Sequence, residues 1–312
     1  MIITVTLNPA VDKTINIKLF QIDSVNRVLD SRTDAGGKGI NVSKVLKELD
    51  TDSIATGFLG GEIGESISHY LGKIHVTDGF LKVKGDTREN IKIVDSESNT
   101  FTDINDIGPT INSEDIVHLK NKIDYLTKKN KIIIFSGSIP DGCPKDIYSK
   151  LIEIAHRNNA YVILDTYGKP FDEALKAKPN LIKPNIEELE HYFKRTFDST
   201  LEMIEIIQEK IIKNGIDSVV VSLGKDGAVF VKENFYYKSE GIQVTVQSTV
   251  GAGDAMVAGI AYALENTLPP AKQLQYGSAA ATANIMTPGT QTGNKATIDQ
   301  LLKTIVITKE TI

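Results

Sequence analysis

Hydrophobic positions along the chain fall into short, nearly unbroken runs separated by longer stretches of helical period. The runs are Ile2–Leu7, Ile54–Leu59, Ile132–Phe135, Tyr161–Leu164, Leu181–Lys183 and Val219–Leu223. Apolar, β-branched runs of this length predict parallel strands buried on both faces. Between them the spacing predicts helices over 40–49, 65–74, 114–127, 145–158, 187–193, 201–214, 252–265 and 271–284. In the sixth, Ile204, Ile207, Ile211 and Ile212 recur at i, i+3, i+7 and i+8, one apolar stripe for a sheet to cover. Strand and helix alternating over this length predict an α/β fold, a doubly wound, mostly parallel sheet with helices on both faces.

Two stretches break that rhythm. Positions 15–17 with 27–32, and 80–83 with 90–94 and 101–104, alternate apolar and polar at period two. Such alternation predicts half-exposed antiparallel strands. They interrupt the parallel pattern rather than following it, so a single domain over residues 1–312 is expected. The excursions, about 12–33 and 78–106, would form a small β-sheet lid. A late hairpin is predicted from Ala228–Val231 and Phe235–Lys238, turning at Lys232–Asn234.

Composition narrows the function. A chain of 312 residues can bury about three quarters of its open-chain surface, so it needs no staples. Thirty-five basic against 40 acidic residues, a net charge of -5, offer no field for nucleic acid or anionic lipid. The longest apolar run, Ala255 to Leu264, is about half a membrane span. Cys143 is the lone cysteine, which excludes a disulfide framework and a cysteine zinc cluster, and points to a reducing, cytoplasmic setting. The five histidines have no metal-ligand spacing.

The chemistry is concentrated in glycine-rich helix starts. Ser248-Thr249-Val250-Gly251-Ala252-Gly253-Asp254 opens one helix. Glycines there admit close backbone approach, and free N–H groups with the helix dipole favour an anion such as phosphate. An Asp in the first turn can take the proton of an acceptor hydroxyl; it can equally be ordinary helix-start chemistry. Asp34-Ala35-Gly36-Gly37-Lys38-Gly39-Ile40-Asn41 opens another helix and suits a small anionic or polyhydroxylated ligand, with a flexible loop as the plain alternative. Asn185 and Glu188 are spaced as a capping box or as a water-mediated holder of Mg2+. Ser222, Gly224 and Gly227 form a strand end and turn, where open α/β sheets bind ligands. No Gly-Lys pair is followed by Ser or Thr, and neither glycine run completes Gly-x-Gly-x-x-Gly, so Walker A and dinucleotide loops are absent. Two of only five arginines, Arg27 and Arg88, lie in or beside the lid strands and hint at a phosphate clamp.

Ala35-Gly36-Gly37-Lys38-Gly39-Ile40-Asn41 and Thr249-Val250-Gly251-Ala252-Gly253-Asp254, with Asn185-x-x-Glu188 between them, resemble the signatures of the ribokinase-like (PfkB) sugar kinases. The resemblance implies ATP-dependent phosphorylation of a sugar hydroxymethyl group, with Asp254 as base and Gly251, Ala252 and Gly253 as the anion hole. It implies Lys183, Asn185, Ser222, Gly224, Gly227 and Asn284 at the ATP, and Mg2+ held near Asn185 and Glu188 through water. The opening Thr6-Leu7-Asn8-Pro9-Ala10-Val11-Asp12 resembles the phosphosugar kinases of the family. That likeness assigns the sugar to Asp12, Gly37, Asn41 and Ser136, and its phosphate to Arg27, Lys38 and Arg88. Fructose 1-phosphate is the expected acceptor, giving fructose 1,6-bisphosphate; tagatose 6-phosphate is the alternative, and an inactive sugar-phosphate-binding regulator the alternative of another class. Exposed lid edges suggest a homodimer formed lid to lid.

Overall fold

The computed structural model describes residues 1–98 and 100–311. The chain enters through β1 (Ile2–Thr6), leaves for β2 (Ala10–Ile17) and β3 (Val28–Gly36), and returns through α1 (Lys38–Glu48) to β4 (Ser53–Leu59). Helix α2 (Gly61–Lys73) is followed by the short strands β5 (Thr77–Asp78) and β6 (Leu81–Lys82), then by β7 (Arg88–Asp95) and β8 (Thr100–Ile104). Classical alternation resumes with α3 (Ser113–Lys129), β9 (Ile132–Ser136), α4 (Ile147–Arg157), β10 (Tyr161–Asp165), α5 (Lys169–Leu175), β11 (Leu181–Ile182) and α6 (Ile186–Phe193). Helix α7 (Thr200–Ile207) runs on into a π-turn at Gln208–Ile212, then come β12 (Ser218–Ser222), β13 (Ala228–Val231) and β14 (Phe235–Ser239). The chain closes with α8 (Ala252–Glu265), α9 (Pro270–Ile285), α10 (Lys295–Leu301) and β15 (Ile307–Thr311).

Two sheets result. The large one has the order β15-β14-β13-β12-β11-β10-β9-β1-β4-β5, with β6 also on β4. Its strands from β5 to β12 are parallel, and the hairpin β13–β14 with β15 completes it antiparallel. The register Thr4↔Ala55 and Thr4↔Ile134 sets β1 between β4 and β9. The chain moves outward from β1 to β4 and then reverses to β9, so a topological switch point lies at the carboxyl end of β1.

Buried residues alternate along each central strand and feed two cores. Ile3, Val5, Ile133, Phe135, Val162 and Val219 pack with the helices α3 to α7. Ile2, Ile132, Ile134, Ile163 and Val220 pack with α1, α8, α9 and α10 on the other face. The doubly wound α/β reading is what the structure contains.

The small sheet has the order β3-β2-β7-β8. One expected piece is absent from it. The stretch 80–83 pairs with the large sheet, Phe58↔Leu81 and Leu59↔Lys82, instead of with the lid strands. Leu81 and Val83 tuck against the core below α3 and α4, and the Val83 N–H donates to the Leu59 carbonyl at 2.9 Å, so burial draws this segment to the larger core. The second part of the small sheet therefore begins at Arg88, not near residue 78. The elements α5, α10 and β15 were not expected from the pattern.

Candidate active site

The carboxyl ends of β1, β10, β11 and β12 surround a cavity of about 420 Å³, which the small sheet overhangs from one side. Helices α1 and α8 begin at this cavity, and both have glycine at the N-cap: Gly37 at φ 115° and Gly251 at φ 79°. L side chains rarely adopt these backbone angles. Neither helix start is capped by a side chain among the described residues, so first-turn N–H groups are left for a ligand. A Cβ on Gly253 would lie 3.2 Å from Lys183 Nζ, so glycine there lets the ammonium reach the helix start.

Asp254 stands in the first turn of α8, 5% exposed, and its Oδ2 accepts a 2.8 Å hydrogen bond from Asn41 Nδ2. Burial raises its carboxyl to about 6, with Asp165 adding to the rise and Lys38, the Asn41 contact and Lys183 opposing it. Near neutral pH it is an ionised carboxylate close to its titration point, the condition that suits a proton acceptor.

Three charges stand beside it. Asp165 ends β10 and is 1% exposed; its Oδ1 meets Lys38 Nζ at 3.1 Å and Lys183 Nζ at 3.5 Å. Burial would push the Asp165 carboxyl up, but Lys183 and Lys38 outweigh it and hold the group below the usual carboxylate range. Burial would likewise lower Lys38; Asp165, Asp254 and Glu188 overcome it and raise the ammonium above its ordinary value. Lys38 therefore stays cationic.

Opposite Asp254, the small sheet contributes Asp12 and Asn90, a cross-strand pair joined by a 2.9 Å hydrogen bond from Asn90 Nδ2 to Asp12 Oδ1. Arg88 begins β7 and is held by the carbonyls of Asn8 at 3.0 Å and Asp106 at 3.4 Å. Its Nε, Asn90 Oδ1, Asn8 Oδ1 and Thr6 Oγ1 are buried without a partner among the described residues. Buried polar atoms are ordinarily paired, so orphans grouped in one cavity mark where a polar ligand would sit.

Of the residues singled out from sequence, Asp12, Gly37, Lys38, Asn41, Arg88, Lys183, Asn185, Glu188, Ser222, Gly251, Gly253 and Asp254 line this cavity. Asn185 and Glu188 form a true capping box on α6: Asn185 Oδ1 accepts the Glu188 N–H at 2.7 Å and Glu188 Oε2 accepts the Asn185 N–H at 2.9 Å. Each spends one oxygen on the helix and still faces the cavity. Asn284 lies behind the wall, its Nδ2 donating to the Val250 carbonyl at 3.0 Å and bracing the Gly251 turn. Gly224 and Gly227 form the turn just past Ser222, and Ala252 lies between two lining glycines.

Two residues fall elsewhere. Ser136 ends β9 fully buried, and Gly137 and Ser138 line the cavity in its place. Arg27 is exposed just ahead of β3, roughly 30 Å of extended chain from Gly36, too far for its own side chain to reach the cavity. Sequence reasoning missed Asp165, Asn90, Asn8 and Tyr167 as lining or bridging groups. Asp165 directly follows a predicted strand, and the rule that ligands gather at strand carboxyl ends would have found it.

Two uncapped helix starts and two lysines around a buried carboxylate raised to about 6 suit a phosphotransferase site. The family model for the pfkB family carbohydrate kinases matches residues 5–297. The chain is 40% identical over 287 residues to a 1-phosphofructokinase of Borreliella burgdorferi, covering 92% of each chain. It is 34% identical over 309 residues to a tagatose-6-phosphate kinase of Staphylococcus epidermidis, covering 98% of this chain and 99% of that one. Among solved structures, phosphofructokinase-2 from Escherichia coli in complex with substrates and products superposes with a TM-score of 0.91 at 26% identity, over 97% of this chain and 98% of that one. The chain belongs to the pfkB family of carbohydrate kinases. Within it, the protein is a sugar-phosphate kinase.

Proposed function

We propose that the protein transfers the γ-phosphoryl group of ATP to the 6-hydroxyl of fructose 1-phosphate, giving fructose 1,6-bisphosphate and ADP. The observation that carries this is one cavity holding both ends of such a reaction. Arg88 and Lys38 are fixed cations for a sugar's phosphate, and Asp254 is a carboxylate held near neutrality for its hydroxyl. Asp12 and Asn90 present a carboxylate and an amide to the sugar hydroxyls between them.

Asp254 accepts the hydroxyl proton as the sugar oxygen forms its bond to the γ-phosphorus. The bond from that phosphorus to the β–γ bridging oxygen breaks, and ADP leaves with the electron pair. The transition state spreads charge over the equatorial oxygens of the transferring group. Here the uncapped start of α8 and the ammonium of Lys183, already oriented by Asp165, meet that charge. Lys183, Asn185 and Ser222 flank the nucleotide side, with Asn284 and the Gly224–Gly227 turn behind them.

Among the described residues no three His, Cys, Asp or Glu side chains cluster tightly enough to cage a metal ion. Glu188 facing the cavity, and Asp165 Oδ2, buried without a partner among the described residues, are hard oxygen donors that fit an ion keeping most of its water, as Mg2+ does. Mg2+ brought with ATP would neutralise phosphate charge. No helix is long and apolar enough to cross a membrane among the described residues, and the reading sets the enzyme in the cytoplasm. It also pairs two copies through the small sheet, whose Val28, Leu29, Phe101 and Ile104 are more than half exposed.

Tagatose 6-phosphate is the second reading, favoured by the 34% identical relative of that name. Comparing kcat/KM on the two phosphosugars decides between them: fructose 1-phosphate is expected to be preferred. A preference of more than about tenfold for tagatose 6-phosphate, about 1.4 kcal/mol of transition-state discrimination, overturns the choice. Binding of both sugars without turnover of either would make the protein a regulator.

A further inference from the structure

Helix α1 buries a lysine that the reaction above does not use. Lys44 is 6% exposed and makes no ion pair among the described residues. Its Nζ donates to the Ala35 carbonyl and, at 3.3 Å, to Asn41 Oδ1, and lies 5.4 Å from the centre of the Tyr70 ring. Asn41, one helical turn earlier on the same face, donates its Nδ2 to Asp254 Oδ2. The chain Lys44–Asn41–Asp254 ends on the carboxylate that faces the cavity.

We propose that Lys44 is a positioning residue for phosphoryl transfer, acting through Asn41 to fix how Asp254 is presented. The inference rests on Asp254 being the base. An amide can face its neighbours in two ways, with oxygen and nitrogen exchanged. An ammonium only donates and an ionised carboxylate only accepts. With Lys44 on one side and Asp254 on the other, one orientation satisfies both: oxygen to Lys44, NH2 to Asp254. Without the ammonium the amide can flip, setting its oxygen against the carboxylate. That repulsion favours protonated Asp254 and turns it from the acceptor hydroxyl.

A buried cation without an ion pair is costly, and here burial lowers Lys44 to about 8, with Asp34, Asp12 and Asp254 opposing the fall and Arg32 adding to it. Methionine of similar length would fill the same space at lower cost. A purely structural lysine would clamp α1 to β3 through Ala35 alone, and its loss would register in stability independently of Asn41.

The test is a double-mutant cycle on the full-length enzyme with ATP, Mg2+ and fructose 1-phosphate. Lys44→Met is expected to cut kcat about tenfold while leaving both KM values within about twofold. The acid limb of its pH–rate profile should move to higher pH; the charges facing Asp254 that also shape this limb, Lys38, Asp165 and Lys183, are unchanged in the variant. Lys44→Arg should retain most of the rate. In an Asn41→Ala background, Lys44→Met should have almost no further effect, because the residue it acts through is gone. Equal losses in both backgrounds, or a lower melting temperature with kcat per folded molecule unchanged, would overturn the inference. Should Lys44→Met not fold, Lys44→Gln, which keeps a donor for the Ala35 carbonyl, takes its place in the cycle. Asp254→Asn is the control: if it retains the wild-type rate, the base assignment itself fails, whatever Lys44 does.

Discussion

Helices α3 and α8 begin in opposite ways. At α3, Asn112 Oδ1 accepts the N–H groups of Glu114 and Asp115 at 2.8 and 3.0 Å, and Asp115 Oδ2 accepts the Asn112 N–H at 3.2 Å. At α8, Gly251 brings no side chain, and the carboxylate in the first turn turns away to Asn41. The first helix satisfies its own donors, on the surface, for stability. The second leaves them open over a cavity and buries a charge beside them. The contrast separates residues that hold the fold from residues that the fold holds in place, and three substitutions probe it.

The largest effect belongs to Asp254. Asp254→Asn removes the proposed proton acceptor and should lower kcat by about a thousandfold. Stability should move the other way. The folded carboxyl titrates at about 6, above its unfolded value, so its favourable contribution is complete below the unfolded pKa and is lost as pH rises through about 6. At pH 8 the wild type carries the full cost of a buried anion and Asp254→Asn does not. The variant should therefore melt above the wild type at pH 8, with the gap closing as the buffer is brought below pH 6. In the wild type, kcat/KM should fall on the acid side of about pH 6. A variant melting below the wild type at pH 8 would contradict the claim that this carboxylate is held at a cost.

Gly253→Ala comes next. Alanine is the better helix former, so α8 should not be weakened. The added Cβ would meet Lys183 Nζ at 3.2 Å, and the ammonium must give way by a few tenths of an ångström. Displacing a group proposed to meet developing charge should lower kcat about tenfold with the melting temperature unchanged or higher. Kinetics indistinguishable from wild type would mean that close approach at Gly253 does not matter.

How far such residues can be read from sequence depends on whether their neighbours are local. The central strands and the glycine helix starts were legible because burial on both faces and tight turns leave their mark within a few residues. Asp165 carried a local mark at its strand end, but its pairing with Lys38, 127 residues away, did not, since only the sheet brings them together. Arg27 was misplaced for a related reason. Period-two alternation locates a strand but does not say which of its ends faces the site. The 80–83 stretch alternates as a lid strand would, yet the large core offers Leu81 and Val83 more burial than the small sheet does. Strand β15, Ile-Thr-Lys-Glu-Thr, is exposed along most of its length and carries no apolar pattern to find; its pairing with β14 alone defines it.

The smallest effect returns to α3. Asn112→Ala removes the acceptor for two first-turn N–H groups and frees Asp115 from its half of the box. Loss of such a cap costs about 1 kcal/mol, which for a chain of this size corresponds to a melting temperature lower by about 2 °C. Asn112 is exposed and does not line the cavity, so kcat and both KM values should stay at wild-type levels. Set beside Gly253→Ala, the expectation is a crossed pair: one helix start loses stability and keeps its rate, the other keeps stability and loses rate. If Asn112→Ala slowed turnover as much as it lowered the melting temperature, the start of α3 would have to communicate with the site through the 105–112 segment, whose Asp106 carbonyl holds Arg88. The melting curve and the steady-state rates of this one variant measure both halves of the contrast.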